Sequence, residues 1–143
     1  MRSKTLLLVE DNPDDVELTL RAFAKHGIAN QIVVARDGLE ALSLLHGSAP
    51  NAEPGLVPEL VLLDLNLPLL NGHEVLRRLR ADPRTRRIPV VVLTSSQQDQ
   101  DIVASYDLGA NSFVQKPVDF LEFVEASRQL GLYWLLLNQS ANR

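Results

Sequence analysis

Five short runs of Leu, Val and Ile alternate with longer amphipathic segments, and this alternation limits the fold more than any other feature of the chain. The runs that read as strands are TLLLV (5–9), QIVVA (31–35), LVLLD (60–64), VVVLT (90–94) and SFVQK (112–116). Between and after them, the spacing of apolar residues predicts helices near 13–25, 38–46, 71–81, 97–108 and 118–130. Repeated strand and helix units of this kind build a parallel sheet with helices on both faces. The first, third and fourth runs are nearly continuous Leu and Val, the composition of strands covered on both sides, so they are expected at the centre. The second and the more polar fifth are expected at the edges. Asn12 before Pro13 reads as an N-cap followed by proline at the first helical position, and Ser96 with Asp99 has the spacing of a capping box.

The 143 residues, 45% of them apolar, suffice for one core, and one domain spanning 1–143 is expected, with a core over about 4–130 and a C-terminal extension at 131–143. Fourteen basic against 18 acidic residues give a net charge of −4. Such a balance offers no concentrated basic face, so no nucleic-acid partner is expected. The lack of cysteine excludes a disulfide framework and any thiolate metal site. The start MRSKTLLLVED turns acidic too early for a signal peptide, and LGLYWLLLN (130–138) is shorter than the roughly 20 residues of a spanning helix. The expectation is a cytoplasmic protein with no membrane partner. The segment GSAPNAEPGLVP (47–58) reads as a surface loop, longer than connections in such units usually are, and as a tolerated insertion.

The chemistry gathers at the carboxyl ends of the strands, where ligands of open parallel sheets bind. The first strand runs into Glu10 and Asp11, the third ends on Asp64, the fourth on Thr94 and the fifth on Lys116, before Pro117. An Asp after a strand is, taken alone, most often a turn or cap residue. A Lys before Pro or a Thr at a strand end is commonplace. Their joint placement on one rim is not. Carboxylates brought together repel unless a cation lies among them, and oxygen ligands without His or Cys suit a hard ion, magnesium or calcium. A metal and Lys116 would then offset the cost of ending a buried strand on Asp64. His26, His46 and His73 match no ligand spacing and are expected in surface or cap roles.

VED (9–11), LLDLNLPLLNG (62–72), VVVLTSS (90–96) and FVQKP (113–117) together resemble the receiver domain of two-component response regulators, over about residues 4–130. More narrowly, VEDNPDDVEL, LLDLNLP, IPVVVLTSS and the YWLLLN ending resemble regulators paired with bacterial phytochrome histidine kinases. The resemblance implies a (βα)5 flavodoxin-like α/β fold with strand order 2-1-3-4-5. It implies that Asp64 accepts a phosphoryl group from a phosphohistidine on a sensor histidine kinase, with a bacteriophytochrome expected as that kinase and a histidine phosphotransfer protein as a further partner. Mg2+ would be held by Asp11, Asp64 and the backbone carbonyl of Asn66, with Glu10 binding directly or through water. Lys116 and Thr94 would each engage a phosphoryl oxygen, and the Lys116–Pro117 bond would be cis. Thr94 and Phe113 would form the switch, with Phe113 lacking the hydroxyl of the Tyr that many receivers carry. Such a chain is a signalling domain and not an enzyme in the ordinary sense.

Output would leave through a protein surface. LGLYWLLL is apolar on every side of a helix, and a symmetric homodimer with Tyr133, Trp134 and Leu136 at the contact is expected. The basic cluster Arg77, Arg78, Arg80, Arg84, Arg86 and Arg87 reads as a solvated face. A flavin-binding protein needs a phosphate cradle after the first strand, where EDNPDD would repel one. An aspartyl-phosphate phosphatase wants an Asp where Asn66 stands. A receiver-like interaction module that works without phosphorylation is the alternative that keeps the same fold.

Overall fold

Each strand pair of the sheet is parallel, in the order β2-β1-β3-β4-β5. The computed structural model describes residues 5–25, 31–46, 56–94, 104 and 106–115. Along the chain these form β1 (Thr5–Val9), α1 (Pro13–Lys25), β2 (Gln31–Ala35), α2 (Gly38–His46), β3 (Leu60–Asp64), α3 (Gly72–Ala81), β4 (Val90–Thr94) and β5 (Ser112–Gln115). The expected order 2-1-3-4-5 is the observed one. Of the helix expected over 97–108 only 104 and 106–108 are described, and the helix expected over 118–130, with the Ser96–Asp99 capping pair and most of the 47–58 loop, lies outside the described residues.

Burial follows composition. All residues of β1 and β3 are buried, whereas β2 begins on exposed Gln31 and continues half-buried to Ala35. Side chains alternate across the sheet. Leu7, Val9, Val61 and Leu63 face α2 and α3, packing with Leu42, Leu45, Val75 and Leu79. Leu6, Leu8, Leu60 and Leu62 face α1 and meet Val16 and the fully buried Phe23. Truncating one of these leucines to Ala would cost about 2–5 kcal/mol.

The helix starts are set by short polar side chains. Asn12 Oδ1 accepts from the amides of Asp14 (2.8 Å) and Asp15 (3.2 Å), as its position before Pro13 predicts. Asp37 Oδ1 accepts from Glu40 N over 2.7 Å, and Glu40 Oε1 in turn accepts from Arg36 N over 2.6 Å. Asn71 caps α3, its Oδ1 accepting from Glu74 N at 2.9 Å, so this helix begins at Gly72, one residue later than expected.

The arginine cluster does not form a single solvated face. Arg77 and Arg78 are exposed and pair with Glu74, and Arg84 forks onto Asp82. Arg80 is half-buried. It donates to the carbonyls of Gly109 (2.9 Å), Arg86 (3.0 Å) and Ile88 (2.7 Å) and to Asn111 Oδ1 (2.9 Å). Asn111 Oδ1 also accepts from Val90 N over 2.8 Å. One guanidinium therefore ties the end of α3 to the starts of β4 and β5, and burial holds its pKa below the ordinary arginine value.

Candidate functional site

Register brings the acidic residues together. Val9 pairs with Leu63, so the chain leaving β1 carries Glu10 alongside Asp64 at the end of β3. Glu10 N donates to Ala35 O at 2.9 Å and holds that exit against β2. Carboxylate oxygens of Glu10, Asp11 and Asp64 lie within 4.8 Å of one another. Glu10 and Asp64 are each 1% exposed, while Asp11 is exposed. Two of the carboxylates are oriented by backbone amides two residues on. Glu10 Oε2 accepts from Asn12 N (3.2 Å), and Asp64 Oδ1 accepts from Asn66 N (3.1 Å), the second being the local bond that Asp favours in turns.

The connection from β3 to α3 is short and tightly held. Gly72 N donates to Leu65 O over 3.0 Å. A Cβ on Gly72 would stand 2.4 Å from the Asp64 carbonyl oxygen and 2.6 Å from Leu65 Cα, so the glycine eight residues after Asp64 is needed for space. Between them Leu70 N donates to Pro68 O at 2.7 Å around Leu69, whose φ is +67°. This is a γ-turn of the rare positive-φ kind. For a residue with a Cβ that conformation costs about 1–2 kcal/mol, and Leu69 is 77% exposed.

An all-oxygen set of three carboxylates fits a hard divalent cation, with Glu10, Asp11 and Asp64 as the side chains that could hold it. Among the described residues this is the group of acidic side chains close enough to do so. Asn66 lies exposed directly after Leu65, next to the cluster in sequence. Thr94 ends β4 and pairs with Gln115, and Phe113 pairs with Val92; the description of these two covers backbone only. Lys116, Pro117, Tyr133, Trp134 and Leu136 lie outside the described residues.

The histidines depart from expectation in one case. His46 Nε2 stands 3.3 Å from Thr85 Oγ1 and 3.5 Å from Asp82 Oδ2, at the end of α2. His73, expected in a surface or cap role, is half-buried with its Nε2 enclosed and without a hydrogen-bond partner. His26 is outside the described residues. Two features of the site region were missed by sequence reasoning, the left-handed Leu69 and the seat of Gly38 against the β3–α3 connection. Leu69 gives no signal, since leucine rarely adopts positive φ. The start of α2 at Gly38 is as expected, but nothing local marks its seat, since the Leu70 carbonyl it meets is distant in sequence.

Among the described residues no helix is long and apolar enough to cross a membrane. The family model of the response regulator receiver domain matches residues 6–128. The bacteriophytochrome response regulator AtBRR has a solved structure that superposes with a TM-score of 0.83 at 50% identity, covering 94% of this chain and 96% of that one. Response regulator Rcp1 of Synechocystis is 36% identical over 92% of this chain and 89% of its own length. Its Mn(2+)-bound crystal form superposes with a TM-score of 0.73, covering 92% of this chain and 94% of that one. The probable methanogenesis regulatory protein FilR2 of Methanothrix harundinacea is 40% identical over 94% of this chain and 86% of its own. With the sheet order and the acidic rim, these matches establish that the chain belongs to the response regulator receiver domain family, with bacteriophytochrome response regulators among its near structural neighbours.

Proposed function

We propose that this chain takes a phosphoryl group from the phosphohistidine of a sensor histidine kinase onto Asp64, and signals through the resulting change in its protein contacts. The observation that carries the reading is the convergence of Glu10, Asp11 and Asp64 at the carboxyl ends of two adjacent central strands. Asp64 Oδ attacks phosphorus, the phosphorus–nitrogen bond breaks, and the imidazole leaves with its electron pair. The carboxylate is presented for this by the Asn66 amide, which fixes one of its oxygens. A divalent ion, Mg2+ in this proposal, would be held by Asp11, Asp64 and the Asn66 carbonyl, with Glu10 directly or through water. When bound it supplies positive charge that offsets repulsion between the acidic pocket and the incoming phosphoryl group. The Mn(2+)-bound form of Rcp1 supports a divalent ion in this family.

Lys116 and Thr94 are assigned to phosphoryl oxygens, one by charge and one by a hydroxyl hydrogen bond. Thr94 and Phe113 are assigned to the switch. The names of AtBRR and of its kin support a bacteriophytochrome as the kinase, with a histidine phosphotransfer protein as a further exchange partner. The apolar LGLYWLLL segment supports a homodimer through Tyr133, Trp134 and Leu136, which sedimentation equilibrium tests: monomer alone at tens of micromolar, with and without phosphorylation, removes it.

Intact mass after incubation with Mg2+ and acetyl phosphate tests the central claim. One phosphate adduct is expected, lost in Asp64→Asn and lost with chelator. No adduct under any of these conditions would favour the interaction module that works without phosphorylation.

A further inference from the structure

Gly38 opens α2 and is buried. A Cβ built on it would lie 2.3 Å from the carbonyl oxygen of Leu70, 2.7 Å from Val75 Cγ2 and 2.9 Å from Leu70 Cβ. No side chain fits there. The contact is with backbone, so a rotamer change at Leu70 cannot relieve it, and the β3–α3 connection itself would have to move.

That connection has little slack. Leu70 N is bonded to Pro68 O around the left-handed Leu69. At its far end Gly72 is bonded to Leu65 O and pressed against the Asp64 carbonyl. Leu65 and Leu67 are anchored in the core that α2 and α3 share. A push at Leu70 is therefore passed back along Pro68 and Leu67 to Asn66, whose amide holds Asp64 Oδ1. The strain at Leu69 points the same way, since a costly conformation persists only where its surroundings enforce it.

We propose that Gly38 is a positioning residue for the acidic site: by seating the start of α2 against the Leu70 carbonyl, it holds the β3–α3 connection in the shape that presents Asn66 and Asp64 to a divalent ion. This rests on the metal-dependent reading above. It assigns to a residue on a different helix, which supplies no ligand, the control of ligand geometry. Direct hydrogen-bond partners of metal ligands, as the Asn66 amide is of Asp64, commonly change metal affinity about 10–100-fold, and Gly38 acts through that partner.

The test uses Mn2+ itself, titrated into the full chain and followed by the EPR signal of the free ion. Gly38→Ala forces the loop outward. Leu70→Ala keeps the backbone contact but removes the side chain that packs the connection onto the core shared by α2 and α3, without a clash, and so decides the matter should Gly38→Ala fail to fold. Leu45→Ala, about two turns further along the same helix and buried in the core, controls for lost stability. Both seat variants are expected to weaken Mn2+ binding about tenfold and to shift the Asn66 amide resonance, while Leu45→Ala lowers the urea midpoint and leaves Mn2+ affinity unchanged. Wild-type affinity in the folded seat variants, or an equal loss in Leu45→Ala, overturns the proposal. A wild-type chain that binds no Mn2+ overturns the metal-dependent reading beneath it, which is a distinguishable result.

Discussion

A carboxylate oxygen of Asp11 lies within 4.8 Å of one of Asp64, the first side chain exposed and the second 1% exposed. Like charges at that spacing destabilise the fold, and more so where one partner is screened from water. Asp11→Asn removes a charge without changing shape. In chelator the variant is expected to melt about 2–4 °C above wild type, the shift that about 1 kcal/mol produces in a chain of this size. On the proposed metal-dependent function, added Mg2+ should stabilise wild type by mass action and the variant far less, so the two melting temperatures are expected to cross as Mg2+ is raised. Thermal melts across a Mg2+ titration check both halves. A variant that melts below wild type in chelator would mean that Asp11 is held by a favourable contact.

Arg80 carries a second prediction. Arg80→Ala removes the donor to the carbonyls of Gly109, Arg86 and Ile88 and leaves Asn111 Oδ1 with the Val90 amide alone, and should cost about 2–4 kcal/mol. Arg80→Lys should recover less than half of that, because an ammonium cannot reach acceptors on several segments as a planar fork does. Urea unfolding with an unchanged slope would measure it. A loss no greater than that of an exposed ion pair, about 0–1 kcal/mol, would return Arg80 to the solvated face.

The strands and the site were legible to different depths. The run LVLLD named β3 and its end at once, because a parallel strand buried on both faces has to be apolar and Asp64 is the one residue that breaks the pattern. Glu10 and Asp11 followed, since parallel register aligns strand ends. What stayed hidden depends on contacts distant in sequence. Arg80 looks like its neighbours Arg77 and Arg78 in composition, and only the approach of Gly109 and Asn111 sets it apart. Gly38 reads as the first residue of a helix, and only the Leu70 carbonyl beside it shows why no side chain fits there. His73 reads as polar surface, yet the packing around the start of α3 encloses its Nε2.

Leu69 gives a third prediction, of opposite sign to most mutations. Its φ of +67° is costly for leucine and free for glycine, and its side chain is 77% exposed, so little packing is lost on truncation. Leu69→Gly should stabilise the chain by about 0.5–1 kcal/mol, after allowing for the extra freedom of glycine in the unfolded state. The urea midpoint should rise with the slope unchanged. A lower midpoint would mean that the leucine side chain is held by contacts worth more than the strain.

Asp82 makes a prediction in pH. The Arg84 guanidinium and the Arg84 amide both donate to Asp82, and these bonds hold its carboxyl well below the usual carboxylate range, with His46 3.5 Å away adding to the effect. A carboxylate depressed in the folded state stabilises it fully above the ordinary Asp value of about 4 and loses that contribution as pH falls toward the folded value. Asp82→Asn lacks the charge at every pH. The gap in urea midpoint between wild type and variant should therefore be fully present from about pH 5 upward and should close as acid protonates the wild-type group. Arg84→Ala, which removes the side-chain donor, should show a smaller gap with the same acid dependence. A gap that persists unchanged down to about pH 2 would mean that the charge of Asp82 contributes nothing, and that its bonds to Arg84 act through geometry alone.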